Sequence, residues 1–212
     1  MAKDTGKKKG GGKGDAAPED TGPRTTPRMQ VKFREEVAPA LGKKFGVENP
    51  MALPRLEKIV LNVNMGRHLE GNKIPPQVKD TVIDTLRSVG GQKPVVLKAK
   101  KSVSNFKVRE GADTAAMVTL RRDRMWHFLD RLINLATPRI KDFRGLSTTA
   151  FDKDGNYAMG ITEQGVFPEI DMAKATFTHG MNINLVFARS NPEKSRFLLE
   201  GLGMPFRREE TK

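Results

Sequence analysis

The chain has 212 residues, with 38 Lys and Arg against 25 Asp and Glu, a formal net charge of +13, and no cysteine. That length can bury a core unaided and favours one domain, while the lack of thiols excludes disulfides, thiolate nucleophiles and cysteine-bound zinc. The cation excess asks for a polyanionic partner, nucleic acid ahead of an anionic membrane surface, and argues against a small-molecule enzyme.

Residues 1–27 are Gly, Lys, Pro, Thr and Asp with almost no large apolar side chain, so burial cannot offset the entropy of ordering them and a disordered basic extension is expected. Its Gly12-Lys13 is no phosphate loop, because the position five before Gly12 is Lys7 and no strand precedes it. This N-terminus also lacks the apolar block of a signal peptide, and no run approaches the ~18 apolar residues of a membrane span, which predicts a soluble intracellular protein. From Arg28 on, Met29, Phe33, Val37, Leu41 and Phe45 recur every fourth position, predicting a helix with a bend at Pro39 and a stop at Gly46. Residues 56–64 (LEKIVLNVN) alternate as a half-buried strand, with Ile59, Leu61 and Val63 on one face and Lys58, Val60, Asn62 and Asn64 on the other. Pro75 and Pro76 open a second helix faced by Val78, Val82, Leu86 and Val89, and Gly90-Gly91 closes it.

Residues 95–97 predict a short strand, and 105–109 another with Phe106 and Val108 inward. Residues 116–121 continue the sheet, Val118 and Leu120 opposing Met117, Thr119 and Arg121. A helix from about Asp123 carries a wide stripe of Met125, Phe128, Leu129, Leu132, Ile133 and Ala136, ending before Pro138. After a loop at 139–159 come a strand at 157–161, an alternating strand at 182–187, and a last helix capped by Asn191 and stopped by Gly203. The predicted fold is α+β: an antiparallel-rich sheet with helices on one face and the other face free for a ligand, one domain over 28–207 and a short tail at 208–212.

The densest chemical signal is 91–111, GQKPVVLKAKKSVSNFKVREG, which has no acid before Glu110. Lys93, Lys98, Lys100, Lys101, Lys107 and Arg109 alternate there with apolar residues and with Gln92, Ser102 and Asn105, combining charge, hydrogen bonds and a ring as RNA recognition requires. The competing explanation is a solvated lysine face beside an ordinary hairpin. Phe106 could stack on a base, but its alternation with Val108 predicts a core position. Trp126 and Phe128 are expected in a helix core or at its edge rather than as a base-stacking platform. His68, His127 and His179 lie in unrelated segments, so no metal site is expected, and Glu169 with Asp171 predicts a solvated loop rather than an acid–base pair. No nucleophile elbow or dinucleotide fingerprint appears, so no cofactor is expected.

Six ordered motifs lie between residues 29 and 207: PRLEKIVLNV from Pro54, the 91–111 run, VTLRRDRMWHFLDRLINLATPRIKDFRGLS from Val118, GNYAMGI from Gly155, EQGVFPEID from Glu163, and the terminal GMPF. On these the chain resembles the bacterial-type large-subunit ribosomal protein five family, the 5S rRNA binders of the central protuberance. The resemblance implies a non-catalytic role on the large ribosomal subunit: attaching 5S rRNA to 23S rRNA, touching P-site tRNA, and meeting a small-subunit head protein across an intersubunit bridge, with no membrane and no small-molecule substrate. It maps 5S contacts onto Asn62, Gln92, Thr119 and Arg121, leaves Lys93, Lys98, Lys100 and Lys101 as phosphate contacts, and makes the tRNA-facing loop from Ser102, Asn105, Phe106, Lys107, Arg109 and Gly111. Two departures stand out: Val63-Asn64-Met65-Gly66 where the family has Met-Gly-x-Gly after its Asn, and Asp113-Thr114-Ala115 where it has Pro-Ile-Gly. The alternatives are a basic RNA-binding module acting off the ribosome, such as a 5S RNA carrier, and an enzyme on an α+β sheet.

Overall fold

A strict four-residue apolar repeat overruns the 3.6-residue turn of an α-helix, and residues 28–45 absorb the excess by widening. The computed structural model, which describes residues 26–68, 73–106, 108–173 and 175–207, runs α1 (Arg28–Lys32) through a π-helical turn (Phe33–Val37) into α2 (Ala38–Phe45). The Ala38 amide donates to the Phe33 carbonyl, five residues back. Pro39, in the first turn of α2, has no N–H to offer, so the predicted bend is expressed as this wide turn just before it. Met29, Val37 and Leu41 are buried as the repeat predicts. The 1–27 extension except its last two residues, the 208–212 tail, and Lys107 lie outside the described residues.

The rest of the chain forms β1 (Arg55–Asn64), α3 (Pro76–Gly90), β2 (Val95–Lys98), β3 (Asp113–Leu120), α4 (Arg122–Arg131), β4 (Tyr157–Ile161), β5 (Met181–Ala188) and α5 (Pro192–Leu202). The strands make one sheet in the order β2, β3, β1, β5, β4, and every neighbouring pair is antiparallel. Period two sends Ile59, Leu61 and Val63, Val118 and Leu120, and Ile183, Leu185 and Phe187 to one face, where all are buried. Helices cover that face with Val82, Leu86 and Val89 from α3 and Met125, Phe128 and Leu129 from α4. Each such side chain contributes about 1.5 to 3 kcal/mol, which is why the helical layer stays on this side. The Gly90-Gly91 pair does two jobs. A Cβ on Gly90 would stand 3.0 Å from Val118 Cγ1, so its absence lets α3 approach β3, while Gly91 at φ +65° ends the helix and donates to the Arg87 carbonyl.

Two expectations need correction. Residues 105–109 are not a strand: Val103 and Val108 exchange backbone hydrogen bonds of 2.8 and 3.2 Å, closing a tight hairpin whose tip holds a 3-10 turn at Ser104–Phe106. A strand that short has no second row to pack on, and Phe106 is 76% exposed instead of in the core. The helical path also runs past its predicted end. After α4 it widens into a π turn (Leu132–Ala136) and passes through a 3-10 turn (Thr137–Arg139) containing Pro138, where Thr137 donates both its amide and its hydroxyl to the Leu132 carbonyl. Both sequence departures are built into the sheet. Asn64 accepts from the Gly66 amide at 2.8 Å to close the turn after β1, and Asp113 begins β3 with its carboxylate 2.7 Å from Lys79 Nζ of α3.

His179 is the one buried histidine among the described residues, its Nε2 3.3 Å from Thr85 Oγ1 of α3 and its amide donating to Gln164 Oε1. Burial pushes its pKa below the ordinary value; the Gly180 carbonyl opposes this and nearby His68 adds to it. The unfolded chain therefore takes up a proton near pH 6.5 that the folded chain accepts only at lower pH, so this stability is present above about 6.5 and is lost as the pH falls. Thermal melting should shift downward between about pH 7 and pH 5, and His179→Asn should flatten part of that slope; an identical slope in the variant would assign the effect to other groups.

Candidate nucleic-acid interface

The face of the sheet opposite the helices is assembled by register. One row reads Val95, Met117, Asn62, Asn182 and Gly160 across β2, β3, β1, β5 and β4; the next reads Thr119, Val60, Asn184 and Ala158; beyond it Lys58 pairs with Val186. No acid occupies any of these positions. Asn62 lies at the centre. Its side-chain oxygen is buried and has no hydrogen-bond partner, although an unsatisfied buried acceptor costs about 1 to 3 kcal/mol. Thr119 shares the face, about 7 to 8 Å from Asn62 on the diagonal of an antiparallel pair.

Gln92 follows Gly91 out of α3, donates through Nε2 to the Thr119 carbonyl at 2.5 Å, and accepts from Arg124 Nη1 at 3.3 Å. Its amide thus ties α3, β3 and α4 together and fixes the place where Thr119 and Arg121 emerge. Arg121 leaves β3 still extended (φ −139°, ψ 163°), so it continues the alternation onto the Met117 and Thr119 side, exposed at the start of α4. Thr119 and Arg121 therefore lie on the open face toward the end of β3, with Asn62 a row away at its centre, while Gln92 sits at the edge of β3 by the stop of α3.

The basic run divides. Lys93, Lys98, Lys100 and Lys101 are exposed along and beyond β2, an edge strand, and none has an ion-pair partner among the described residues. Asp113, paired with Lys98 in the ladder, is neutralised by Lys79 and leaves those charges uncompensated. Past the Ala99 to Ala112 hydrogen bond, the hairpin carries Ser102, Asn105, Phe106, Arg109 and Gly111, all exposed, with Ser102 Oγ accepting from the Glu110 amide at 2.9 Å. From Thr119 to Asp113 is six residues of strand, about 20 Å, so this loop and the Asn62 cluster are separate contact points on one ribbon.

Pattern reasoning singled out neither Asn182 and Asn184, which fall on the open face by the same alternation, nor Arg122, whose position depends on how β3 ends. Glu169 is ion-paired with Arg131, and among the described residues no group of three or more acids or histidines could hold a metal. No helix among them is long and apolar enough to cross a membrane.

Residues 113–206 match the model of the C-terminus of the ribosomal protein L5 family, and residues 49–109 that of ribosomal protein L5. The chain is 48% identical over 180 residues to the large ribosomal subunit protein uL5 of Acidobacterium capsulatum, covering 85% of this chain and 97% of that one. It is 47% identical over 189 residues to that of Kocuria rhizophila, covering 89% and 98%, and 49% identical over 179 residues to that of Alkaliphilus metalliredigens, covering 84% and 98%.

Proposed function

This chain belongs to the ribosomal protein L5 family, and we propose on that premise that the open face of its sheet binds 5S rRNA and helps attach it to 23S rRNA in the central protuberance. Membership makes it a structural, non-enzymatic constituent of the large ribosomal subunit, with ribosomal RNA as its partner. The observation that carries the finer reading is the unpartnered oxygen of Asn62, in paired rows of the sheet that hold no acid. An acceptor with no donor in its own protein is available to one from outside, and a 2′-hydroxyl or an exocyclic amine is such a donor.

Thr119 adds a hydroxyl, Arg121 a fork suited to phosphate or guanine, and Gln92 holds both in place through its bond to the Thr119 carbonyl. Lys93, Lys98, Lys100 and Lys101 supply phosphate charge, which gives affinity and salt dependence without choosing sequence. The hairpin bearing Phe106 and Arg109 is the tRNA-facing element, Phe106 offering an exposed ring at its tip. The RNA-binding unit spans 28–207, and a small-subunit head protein meets it across the intersubunit bridge.

Filter binding of a 5S rRNA transcript at fixed salt tests the site. Asn62→Ala should weaken binding by about 1 to 3 kcal/mol, the scale of one good specific contact. Lys100→Ala should instead reduce the salt slope by nearly one unit and keep the preference for 5S over other RNA. Unchanged affinity in Asn62→Ala would remove the oxygen from the interface.

A further inference from the structure

Among the described residues three that are not glycine adopt left-handed backbone: Arg122 (φ 52°), Asp142 (φ 54°) and Arg189 (φ 59°). Aspartate visits this region readily because its short side chain bonds locally, whereas for arginine the conformation costs about 1 to 2 kcal/mol. Arg122 follows Arg121 at the exit of β3, and Arg189 is the first residue after β5. Both strands flank β1. The pairings Ile59 with Leu120 and Arg55 with Ala188 bring both exits to the same end of the sheet, beside the first residues of β1. Two strand spacings across and a stagger of two to three residues along the sheet put the two strained turns about 13 Å apart.

Lys58 lies between them. It is on the open face, paired with Val186, and continuing the β1 to β3 register by one step sets Arg121 opposite it. Cations directly opposite on a sheet repel. Glu57, the bulge residue with no partner on β5, falls with Lys58 on the open side between buried Leu56 and Ile59 and is the one acid beside the cluster among the described residues, while Asp123 lies in the first turn of α4, where it complements the helix end. Among the described residues none of Lys58, Arg121, Arg122 and Arg189 makes an ion pair. Strain is retained at positions where another requirement outweighs it, and here what it preserves is positive charge at two turns that asparagine or glycine would form more easily.

We propose that Lys58, Arg122 and Arg189, with Arg121, form a phosphate track along this end of the sheet, gripping a run of backbone phosphates of the RNA that lies on the open face. The proposal rests on the reading that the open face binds 5S rRNA and extends it from base and sugar contacts to a second, sequence-blind grip. The test is binding of a 5S rRNA transcript across a range of KCl to Lys58→Gln, Arg122→Asn, Arg189→Asn and their triple combination, alongside Asn62→Ala. Asparagine suits a left-handed turn, so the two arginine variants should melt at or above the wild-type temperature. Each single change should lower the slope of log affinity against log salt by about 0.7 to 0.9 and the triple by about two units, with preference for 5S over an unrelated hairpin RNA retained.

An unchanged slope in the triple variant overturns the track; if Asn62→Ala still weakens binding, the open-face reading survives that loss. If neither moves binding, the open-face reading falls with it. Affinity lost without a change of slope would mean a structural effect and also defeats the proposal. Should the triple variant melt early, the double variant Arg122→Gly and Arg189→Gly, which removes strain together with charge, should lower the slope by about 1.4 to 1.8, and an unchanged slope there overturns the track.

Discussion

Leu61→Ala is expected to lower the stability of the fold by about 2 to 5 kcal/mol, while Asn62→Ala, one residue along the same strand, leaves it unchanged or raises it slightly. Leu61 is completely buried on the helix-covered face, between Val118 and Ile183 in the two neighbouring strands, so truncation removes apolar contacts and leaves a cavity in a layer pinned by β1. Asn62 points the other way and its buried oxygen is unsatisfied, so alanine removes a desolvation cost and no internal bond. Denaturant midpoints measure the first effect and 5S rRNA titration the complement: Leu61→Ala, held well below its melting temperature, should keep its affinity, and Asn62→Ala should lose it. A loss under 1 kcal/mol in Leu61→Ala, or a clear destabilisation in Asn62→Ala, would mean that the two faces are assigned the wrong way round.

That contrast depends only on period two, which is why the sequence alone makes it legible. Alternation at 56–64 and 182–187 assigns every side chain to one of two faces, and a one-residue slip would move Ile59, Leu61 and Val63 to the outside together. The same rule fails at 105–109, because alternation over a few residues does not distinguish a strand in a sheet from the tip of a hairpin; what decides is whether another layer reaches it, and none reaches Phe106. The candidate site is legible as a set of residues and not as a constellation. Nothing local in Gln92 indicates that its amide finds the Thr119 carbonyl, 27 positions away, and nothing in Arg122 or Arg189 announces a left-handed backbone. Asp113 reads as a stray acid in a basic run until α3 brings Lys79 to within 2.7 Å of it. Long-range pairing and backbone strain are properties of the assembled sheet.

Gly145→Val should cost about 3 to 6 kcal/mol and release the C-terminal segment, the largest effect expected of any single change outside the core. Gly145 has φ +96°, a conformation that a β-branched residue takes only under strain, and a Cβ there would stand 2.7 Å from Arg207 N and Cα. Next to it the Leu146 amide donates to the Pro205 carbonyl and the Arg207 amide to the Leu146 carbonyl, both at 2.9 Å. Phe206, held by that bridge, packs its ring 5.6 Å from Tyr157 and 5.9 Å from Phe151, and the Tyr157 hydroxyl donates to the Ser147 carbonyl at 2.9 Å. The terminal GMPF and the DFRGLS segment, separate motifs in the chain, are thus one fastening, and a side chain at Gly145 must push them apart. Strain of about 1 to 3 kcal/mol, two backbone bonds at about 0.5 to 1.5 each and the aromatic contacts add to the expected figure. Amide exchange at Leu146 and Arg207 should accelerate in the variant well before global unfolding, while amides of β1 stay protected; a variant that melts with the wild type and keeps both amides protected would show that the C-terminal segment tolerates displacement.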